Sequence, residues 1–541
     1  MSKVSQYLQE HLTGEVSVAK DARLHFAHDA SALQLIPAMI VYAANEDDIR
    51  KTARFCWQLA ERGRPVPITA RGGGTDTSGA AIGNGIMLVT TAYLNRVLAL
   101  DPKKQFVTIE PGITYDKLQQ TLYTHGLFLP VYPGSGAYAT VGGGIANNAV
   151  GEKSVKYGTT GQYVQSLRVV LANGEVIETG PISKRELNRK MGLSTFEGHV
   201  YRELDKLLEE NAQVISSYAG SVRAAHHNAG YNLAAVKTKD HFDLTPLFVG
   251  AQGTLGIISE ATLKLASYNP ATTLAMVSLN TLSSLVQVTP AILKLKPSMF
   301  DMVNKEALQL VQKTNPAQLG NTTELTTAVH LFIEFDDHGG TAKKHARSLQ
   351  SLIEAHGGYC RLAETPEEQQ ELYKIRHSVV TILTQTYNGR RAVPVAEDVC
   401  LPVDGVVDYM DVAEKLFKQM GLPAALWGPI GSGVVRCYPL LDLEQMADRQ
   451  KLFKISESLY SAALGMGGSI SAGAGDGRMR SPYLAAALGA DMYRVMLATK
   501  KIFDPHNILN AGVKTTSSEQ LKTMLRTEYS QGHRHEHLPR N

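Results

Sequence analysis

Arg71-Gly72-Gly73-Gly74-Thr75-Asp76-Thr77-Ser78-Gly79 decides how the rest of the chain is read. It follows Val66-Pro67-Ile68-Thr69-Ala70, which reads as an extended strand. A backbone without Cβ atoms turns tightly there and aims successive N–H groups at an anion. The arrangement recurs: Leu127-Phe128-Leu129-Pro130-Val131 leads into Pro133, Gly134-Ser135-Gly136 and then Gly142-Gly143-Gly144. A single glycine cluster marks a surface loop as readily as a site. Two clusters with Arg71, Thr75 and Ser135 set among them point to a ligand, either two phosphates or one dinucleotide pyrophosphate held along its length. The commoner phosphate motifs do not fit. Gly134-Ser135-Gly136 is followed by Ala137, Tyr138 and Ala139 rather than by a third glycine in register, and Gly151-Glu152-Lys153-Ser154 carries Glu152 where a P-loop would have lysine.

Composition bounds the reading. A chain of 541 residues predicts more than one domain, and 44% apolar with 19% charged residues is ordinary for a soluble globular protein. A net charge of +3 with no dense basic cluster argues against a nucleic-acid partner. No run is long and apolar enough for a transmembrane helix, and the first eleven residues lack the apolar core of a signal peptide. The expected location is the cytoplasm, at most resting on a membrane surface. Cys56, Cys360, Cys400 and Cys437 are scattered without a C-x-x-C pair, so neither an iron–sulfur cluster nor a structural zinc is expected from them. Cys56 on an apolar helix face and Cys400 in a strand-like run read as buried, inert thiols.

The first region alternates strands and helices. Met39 to Ala44 reads as a strand, Asn45 as an N-cap with Glu46, Asp47 and Asp48 in the first turn, and Ile49, Ala53, Cys56, Trp57 and Ala60 as one buried helix face. Residues 97–100 and 105–110 flank a hairpin, as do 167–171 and 175–178 around Asn173-Gly174. This mixture of parallel and antiparallel pairing differs from a Rossmann sheet. From Tyr268 the rhythm changes. Strands at 273–280, 328–335 and 359–362 alternate with helices at 341–356 and 366–387, predicting an antiparallel sheet with helices on one side.

Arg71 to Gly79 resembles the pyrophosphate loop of FAD-linked oxidases of the vanillyl-alcohol-oxidase type. So does Pro133-Gly134-Ser135, running on through Thr140, Gly142, Gly143 and Asn147 to Gly151 and Tyr157-Gly158. Asp29-Ala30-Ser31 resembles the start of that family's flavin domain. Gly250-Ala251-Gln252-Gly253-Thr254-Leu255-Gly256-Ile257-Ile258 resembles its third flavin segment, with Gln252 where glutamate is usual. Phe503-Asp504-Pro505-His506-Asn507-Ile508-Leu509-Asn510 resembles its C-terminal return, with Ala511 in place of proline. Within the group the likeness is to the D-lactate, glycolate and D-2-hydroxyglutarate dehydrogenases, and it runs from about Asp29 to Lys514. It implies an α+β fold: a two-subdomain FAD-binding domain of the PCMH type with an inserted α+β cap. The expected divisions are an N-terminal segment 1–28, the FAD-binding domain 29–267, the cap 268–470, a return 471–514, and a flexible tail 515–541. The tail's histidines at 533, 535 and 537 read as a frayed polar terminus rather than a metal site.

The resemblance implies FAD held by Arg71, Gly72, Gly73, Gly74, Thr75, Asp76, Gly79, Pro133, Gly134, Ser135, Thr140, Gly142, Gly143, Asn147, Gly151, Tyr157, Gly253, Gly256, Ile258 and Asn510. The cofactor is expected to be non-covalent, because Thr75-Asp76 stands where some relatives tether it through histidine. The family's chemistry needs a substrate Cα–H aimed at flavin N5, a cation for the substrate carboxylate and a base for the hydroxyl proton. Arg376 matches the carboxylate-binding arginine. From the residues alone a solvated helix-surface arginine is an equal alternative, and Arg391 is a second candidate. Ala396 stands where many relatives have lysine.

Two segments depart from the pattern. Relatives carry Gly-His-x-Gly-x-Gly-x-x-His, where this chain has Gly428-Pro429-Ile430-Gly431-Ser432-Gly433-Val434-Val435-Arg436. They carry Glu-His before Gly-x-Gly-Arg, where this chain has Gly473-Ala474 before Gly475-Asp476-Gly477-Arg478. Pro429, Arg436, Gly473 and Ala474 offer no side-chain metal ligand at neutral pH, so no metal is expected. Arg436 leaves a cation in place of the ion, with a salt-bridged structural cluster as the alternative. His227, His377 and Asp476 are the candidate bases. The expected function is oxidation of a small acidic alcohol, such as a D-2-hydroxyacid, by FAD, with electrons passed to a separate quinone, carrier or oxygen. A non-catalytic flavin-binding subunit and an alcohol or sugar oxidase stand as alternatives, and oligomeric state stays open, a homodimer included.

Overall fold

Helix Glu46–Glu61 begins as its sequence requires, with the Asn45 side chain accepting from the Asp48 N–H and with Ile49, Ala53 and Cys56 buried. It packs beside a four-stranded sheet ordered Glu15–Ser17, Met39–Tyr42, Ile86–Val89, Ile68–Arg71. The last three strands run parallel and the first antiparallel. Arg71 therefore closes a buried parallel strand, and the glycine loop leaves from the strand's C-terminal end. The computed structural model describes residues 2–319, 327–338, 340–384 and 386–529; the histidines at 533, 535 and 537 lie outside them.

A second, five-stranded sheet is wholly antiparallel, ordered Val97–Asp101, Phe106–Ile109, Ile257–Lys264, Val164–Val170, Val176–Glu178. Both expected hairpins are present, and Gly174 takes the positive φ of 84° that the Asn-Gly turn needs. The strand expected over 127–131 shrinks to Leu127–Phe128, because Pro130 and Pro133 cannot donate to a ladder.

The cap is built on a nine-stranded sheet in which every pairing is antiparallel. Its order is Tyr359–Leu362, Thr273–Leu279, Val329–Phe335, Met299–Asn304, Ala424–Gly428, Val434–Leu441, Arg390–Ala392, Thr386–Tyr387, with Ala396–Cys400 also paired to Val434–Leu441. Helices cover both faces rather than one. Leu285, Leu349, Met410 and Leu459 join the core on one side, and Leu308 and Leu372 the core on the other. The helix expected over 366–387 is Pro366–Ser378, opened by a Thr365–Glu368 capping box. It tightens into a 3₁₀ stretch over Val379–Thr384, where the β-branched run Val379-Val380-Thr381-Ile382 crowds an α-helical turn.

The chain then returns to the first region. Ile68 N–H donates to the Ile508 carbonyl, Asn510 N–H to the Ile68 carbonyl, and Arg478 N–H to the Ser78 carbonyl. The segment after Thr515 does not hang free, at least to residue 529. Helix Ser518–Thr523 has its own capping box, Leu521 is buried, and Arg526 N–H donates to the Ala32 carbonyl. Leu521 and a partly buried Leu525 give this stretch the apolar anchor that its polar composition conceals.

Candidate functional site

One cavity runs from the two glycine loops to the cap sheet. Its near end is lined by residues 71–77, by Pro133, Gly134 and Ser135, by Thr140, Gly142, Gly143 and Asn147, and by Gln252, Gly253, Gly256 and Ile258. Among the described residues, the backbone N–H groups of Gly73, Gly74, Thr75, Asp76 and Thr77 meet no acceptor. Five adjacent unsatisfied donors at a strand end form a nest for an anion. The loops approach closely because side chains are missing where they touch: a Cβ on Gly142 would lie 2.7 Å from the Pro111 carbonyl oxygen, and one on Gly144 1.8 Å from the Tyr115 hydroxyl. Gln252, at φ 56°, binds the near end together. Its Nε2 donates to Ser78 Oγ and Asn147 Oδ1, and its Oε1 accepts from the Gly477 N–H. These residues fit the pyrophosphate of FAD.

Four of the residues expected on the cofactor lie away from the cavity. Gly79 packs against Leu33, and Gly151 lies against the Tyr132 carbonyl. The Tyr157 hydroxyl donates to Asp336 of the cap at 2.6 Å. Asn510 straps backbone: its Nδ2 donates to the carbonyls of Ala80 and Gln252, and its Oδ1 accepts from Thr69. None of the four lines the cavity. Tyr157 belongs to a latch between the two regions, in which Lys153 pairs with Glu334 at 2.5 Å, Lys156 with Asp336 at 2.5 Å, and Glu152 with His377 at 2.9 Å. Burial alone would raise the Glu152 carboxyl, but His377 by charge and hydrogen bond, with Arg376 and Lys153, brings it down to about 2.

The far end is built by Val380, Glu397, Trp427, Arg436, Tyr438, Gly473 and Ala474. Trp427 and Arg436 are direct partners on neighbouring strands, and the guanidinium lies 4.7 Å from the indole centroid. Arg436 Nε is 3.6 Å from Glu397 Oε1, and its Nη atoms meet no hydrogen-bond acceptor among the described residues. Next to Glu397, Asp398 takes a positive φ of 66° at a register shift between Ala396–Cys400 and Val434–Leu441. This bulge turns Asp398 toward the loop Ala472-Gly473-Ala474, whose three N–H groups donate to its Oδ2 at 2.8, 2.7 and 2.6 Å. Gly473 and Ala474 are thus held by a carboxylate acting on backbone. Among the described residues no three His, Cys, Asp or Glu side chains gather as a metal would require, and the donors present do not fit a divalent ion.

Two of the three expected catalytic residues are elsewhere. Arg376 is buried behind Trp427, 5.2 Å from its centroid, and its guanidinium is taken by Asp301. His227 uses both ring nitrogens, Nε2 with the Tyr218 hydroxyl at 2.7 Å and Nδ1 with Ser469 at 2.8 Å. Burial, with Lys514, depresses its pKa to about 4 against the pull of Asp476. Both ring nitrogens are thus occupied, and His227 does not line the cavity. Arg391 stacks on Tyr529, and Asp476 accepts from Lys514 and the Gly230 N–H. Only Arg436 faces the cavity. Glu397, Trp427 and Tyr438 were not singled out from the sequence, although Glu397-Asp398, two adjacent acids inside an otherwise apolar run, was a visible signal.

Residues 37–180 match the model of an FAD binding domain, and residues 269–513 that of the C-terminal domain of FAD linked oxidases. The chain is 28% identical to D-2-hydroxyglutarate dehydrogenase of Escherichia coli (strain K12), over 93% of this chain and 50% of that protein. It is 25% identical to the glycolate oxidase subunit GlcD of Bacillus subtilis (strain 168), over 91% of this chain and 92% of that one. The chain spans about half the length of the curated D-2-hydroxyglutarate dehydrogenases it matches. A 4-ethylphenol oxidase from Gulosibacter chungangensis shares the fold, with a TM-score of 0.67 at 14% identity over 96% of this chain and 98% of that one. Among the described residues no helix is long and apolar enough to cross a membrane.

Proposed function

We infer, from a chain that belongs to the FAD-linked oxidases, that it is an FAD-dependent oxidoreductase acting on a small 2-hydroxyacid of D configuration without a metal. FAD would be held non-covalently by the loops 71–77 and 133–143, with Gln252, Gly253, Gly256 and Ile258 along its length. Bound there, it supplies a two-electron acceptor for hydride.

The observation that carries the reading is Arg436. Its guanidinium stacks on Trp427 and presents unsatisfied Nη atoms to the same cavity that the glycine loops line. A planar fork of donors suits a carboxylate, and the indole fixes its plane. Trp427, Val380 and Tyr438 give the far end apolar walls that exclude water from the carbinol carbon. Arg376 serves Arg436 from behind, packed against the same indole and paired with Asp301. The electrons would pass to a separate acceptor, a quinone, a carrier or oxygen.

Anaerobic mixing of the holoprotein with D-lactate, glycolate, D-2-hydroxyglutarate and simple alcohols tests this directly. Bleaching of the flavin absorbance by one or more hydroxyacids, and not by the alcohols, is expected. Bleaching by alcohols alone would transfer the function to an alcohol oxidase, and no bleaching by any donor would leave a flavin-binding protein without this chemistry.

A further inference from the structure

Oxidation of a CH–OH carbon releases a proton from oxygen as well as a hydride from carbon, and a positioned base must take the proton. No histidine, lysine or cysteine lines the cavity among the described residues. Two carboxylates do. Asp76 lies at the loop end, with its oxygens accepting from the Ser78 N–H and hydroxyl, the Ala80 N–H and Asn147 Nδ2. Glu397 lies at the cap end beside Arg436, with Oε1 toward the guanidinium and Oε2 meeting no hydrogen-bond partner. Tyr438 is the other ionisable group there, and burial holds its phenol well above the ordinary value, so it stays protonated.

The backbone supports a special placement of Glu397. The bulge at Asp398 sends two adjacent carboxylates to different tasks: Asp398 binds the N–H groups of 472–474, while Glu397 remains on the cavity wall. Arg436 touches both the proposed carboxylate site and Glu397, so a substrate carboxylate gripped by the Nη atoms would bring the neighbouring hydroxyl toward that wall.

We propose that Glu397 is the base that accepts the substrate's hydroxyl proton, held in place by Arg436. The assignment rests on the hydroxyacid reading above. FAD, held at the loop end, would supply the acceptor for the hydride that leaves as the C–H bond breaks with its electron pair. The O–H bond breaks, its electron pair becomes the second C–O bond of the ketoacid, and the proton goes to the Glu397 carboxylate. Burial raises that carboxyl above its ordinary value, opposed by Arg436, Arg480 and the nearby Thr77 hydroxyl and assisted by Asp398. Tyr438 and Tyr460 complete the ionisable groups around it. A base raised in this way accepts a proton more readily near neutrality.

Glu397→Gln and Glu397→Asp in the FAD-loaded protein test the proposal by two readouts. The first is equilibrium binding of pyruvate followed by Trp427 fluorescence in a Trp57→Phe background, Trp57 being the chain's other tryptophan. The second is the rate of flavin bleaching by D-lactate across pH. E397Q should keep FAD and pyruvate affinity, lose about 100-fold or more in bleaching rate, and lose the wild type's fall in rate at acid pH. E397D should recover part of the rate together with that fall. Bleaching of E397Q within a few-fold of wild type with the acid fall retained would overturn the assignment alone. Loss of FAD or of pyruvate binding in both variants would also overturn it, making Glu397 structural. A wild type that no hydroxyacid bleaches would fail the hydroxyacid reading, and this assignment with it.

Discussion

The two ends of the cavity are made from opposite materials. The loop end is backbone: unsatisfied N–H groups from Gly73 to Thr77, and glycines whose missing side chains let segments touch. The cap end is side chain: Arg436, Glu397, Trp427 and Tyr438, each backed by a partner that fixes it. Backbone recognition needs runs of particular residues, whereas side-chain recognition draws single residues from segments far apart in sequence. The first kind therefore tolerates no added atom where its segments touch, as at Gly72, Gly142 and Gly144, and the second tolerates substitution with a change of chemistry.

The largest effect should come from adding atoms to the loop end. Gly142→Val would place a Cβ 2.5 Å from Pro111 Cβ and 2.7 Å from its carbonyl oxygen. Overpacking of that kind costs about 1–3 kcal/mol even where neighbours can give, and here part of the obstacle is backbone. The variant should purify without yellow colour and melt lower. A G142V protein that retains stoichiometric FAD would show the loop contact to be dispensable and erase the contrast.

The two arginines of the cap sharpen it from the other side. Arg376 is 2% exposed with Asp301 fully buried beside it, so Arg376→Ala leaves a buried carboxylate unpaired, at a cost of about 3–5 kcal/mol in stability. Asp301→Asn in that background should return part of it. Arg436→Ala should cost less stability than Arg376→Ala, because its contact with Glu397 is the longer one at 3.6 Å, and should weaken hydroxyacid binding by about 2–5 kcal/mol, the range for truncating one member of a desolvated charge pair. Thermal melts and flavin-bleaching titrations separate the two outcomes. If R376A abolishes hydroxyacid binding while its melting temperature holds, the roles are reversed.

This difference in material also explains what could be read from the sequence. The loop end was legible almost residue by residue, because tight turns and close approaches dictate glycine at fixed spacing. The exceptions, Gly79, Gly151, Tyr157 and Asn510, belong to the same motifs but do not line the cavity, and a motif does not say which of its members face the ligand. The cap sheet was legible in three of its nine strands. Thr273–Leu279, Val329–Phe335 and Tyr359–Leu362 were found, but Met299–Asn304, Ala424–Gly428 and Val434–Leu441 were not, because strands buried on both faces lose their alternation. Without those strands Trp427 and Arg436 cannot be seen as neighbours, nor Arg376 as screened behind the indole. His227 was selected for its chemistry, and only the Tyr218 and Ser469 contacts reveal its occupation.

His227 gives the smallest predicted effect. Its folded pKa of about 4 lies below the 6.5 of an unperturbed imidazole, so between those values the unfolded chain binds the extra proton and stability falls as pH falls. Linkage sets the loss at up to about 3 kcal/mol across that window. Below it Glu152, depressed to about 2, adds a further loss as pH drops from 4.5. His227→Gln should cost about 1–3 kcal/mol at neutral pH through its two hydrogen bonds. It should also make stability less sensitive between pH 6.5 and 4, with His330, held near 4 by burial, supplying the residual slope. Urea unfolding at pH 7 and pH 5 measures both, and the rate of flavin reduction at pH 7 should stay within a few-fold of wild type. A tenfold slower reduction in H227Q at undiminished stability would mean that this histidine reaches the chemistry after all. The cap end would then extend through Ser469 to a proton path behind Asp398, and Glu397 would no longer be its only base.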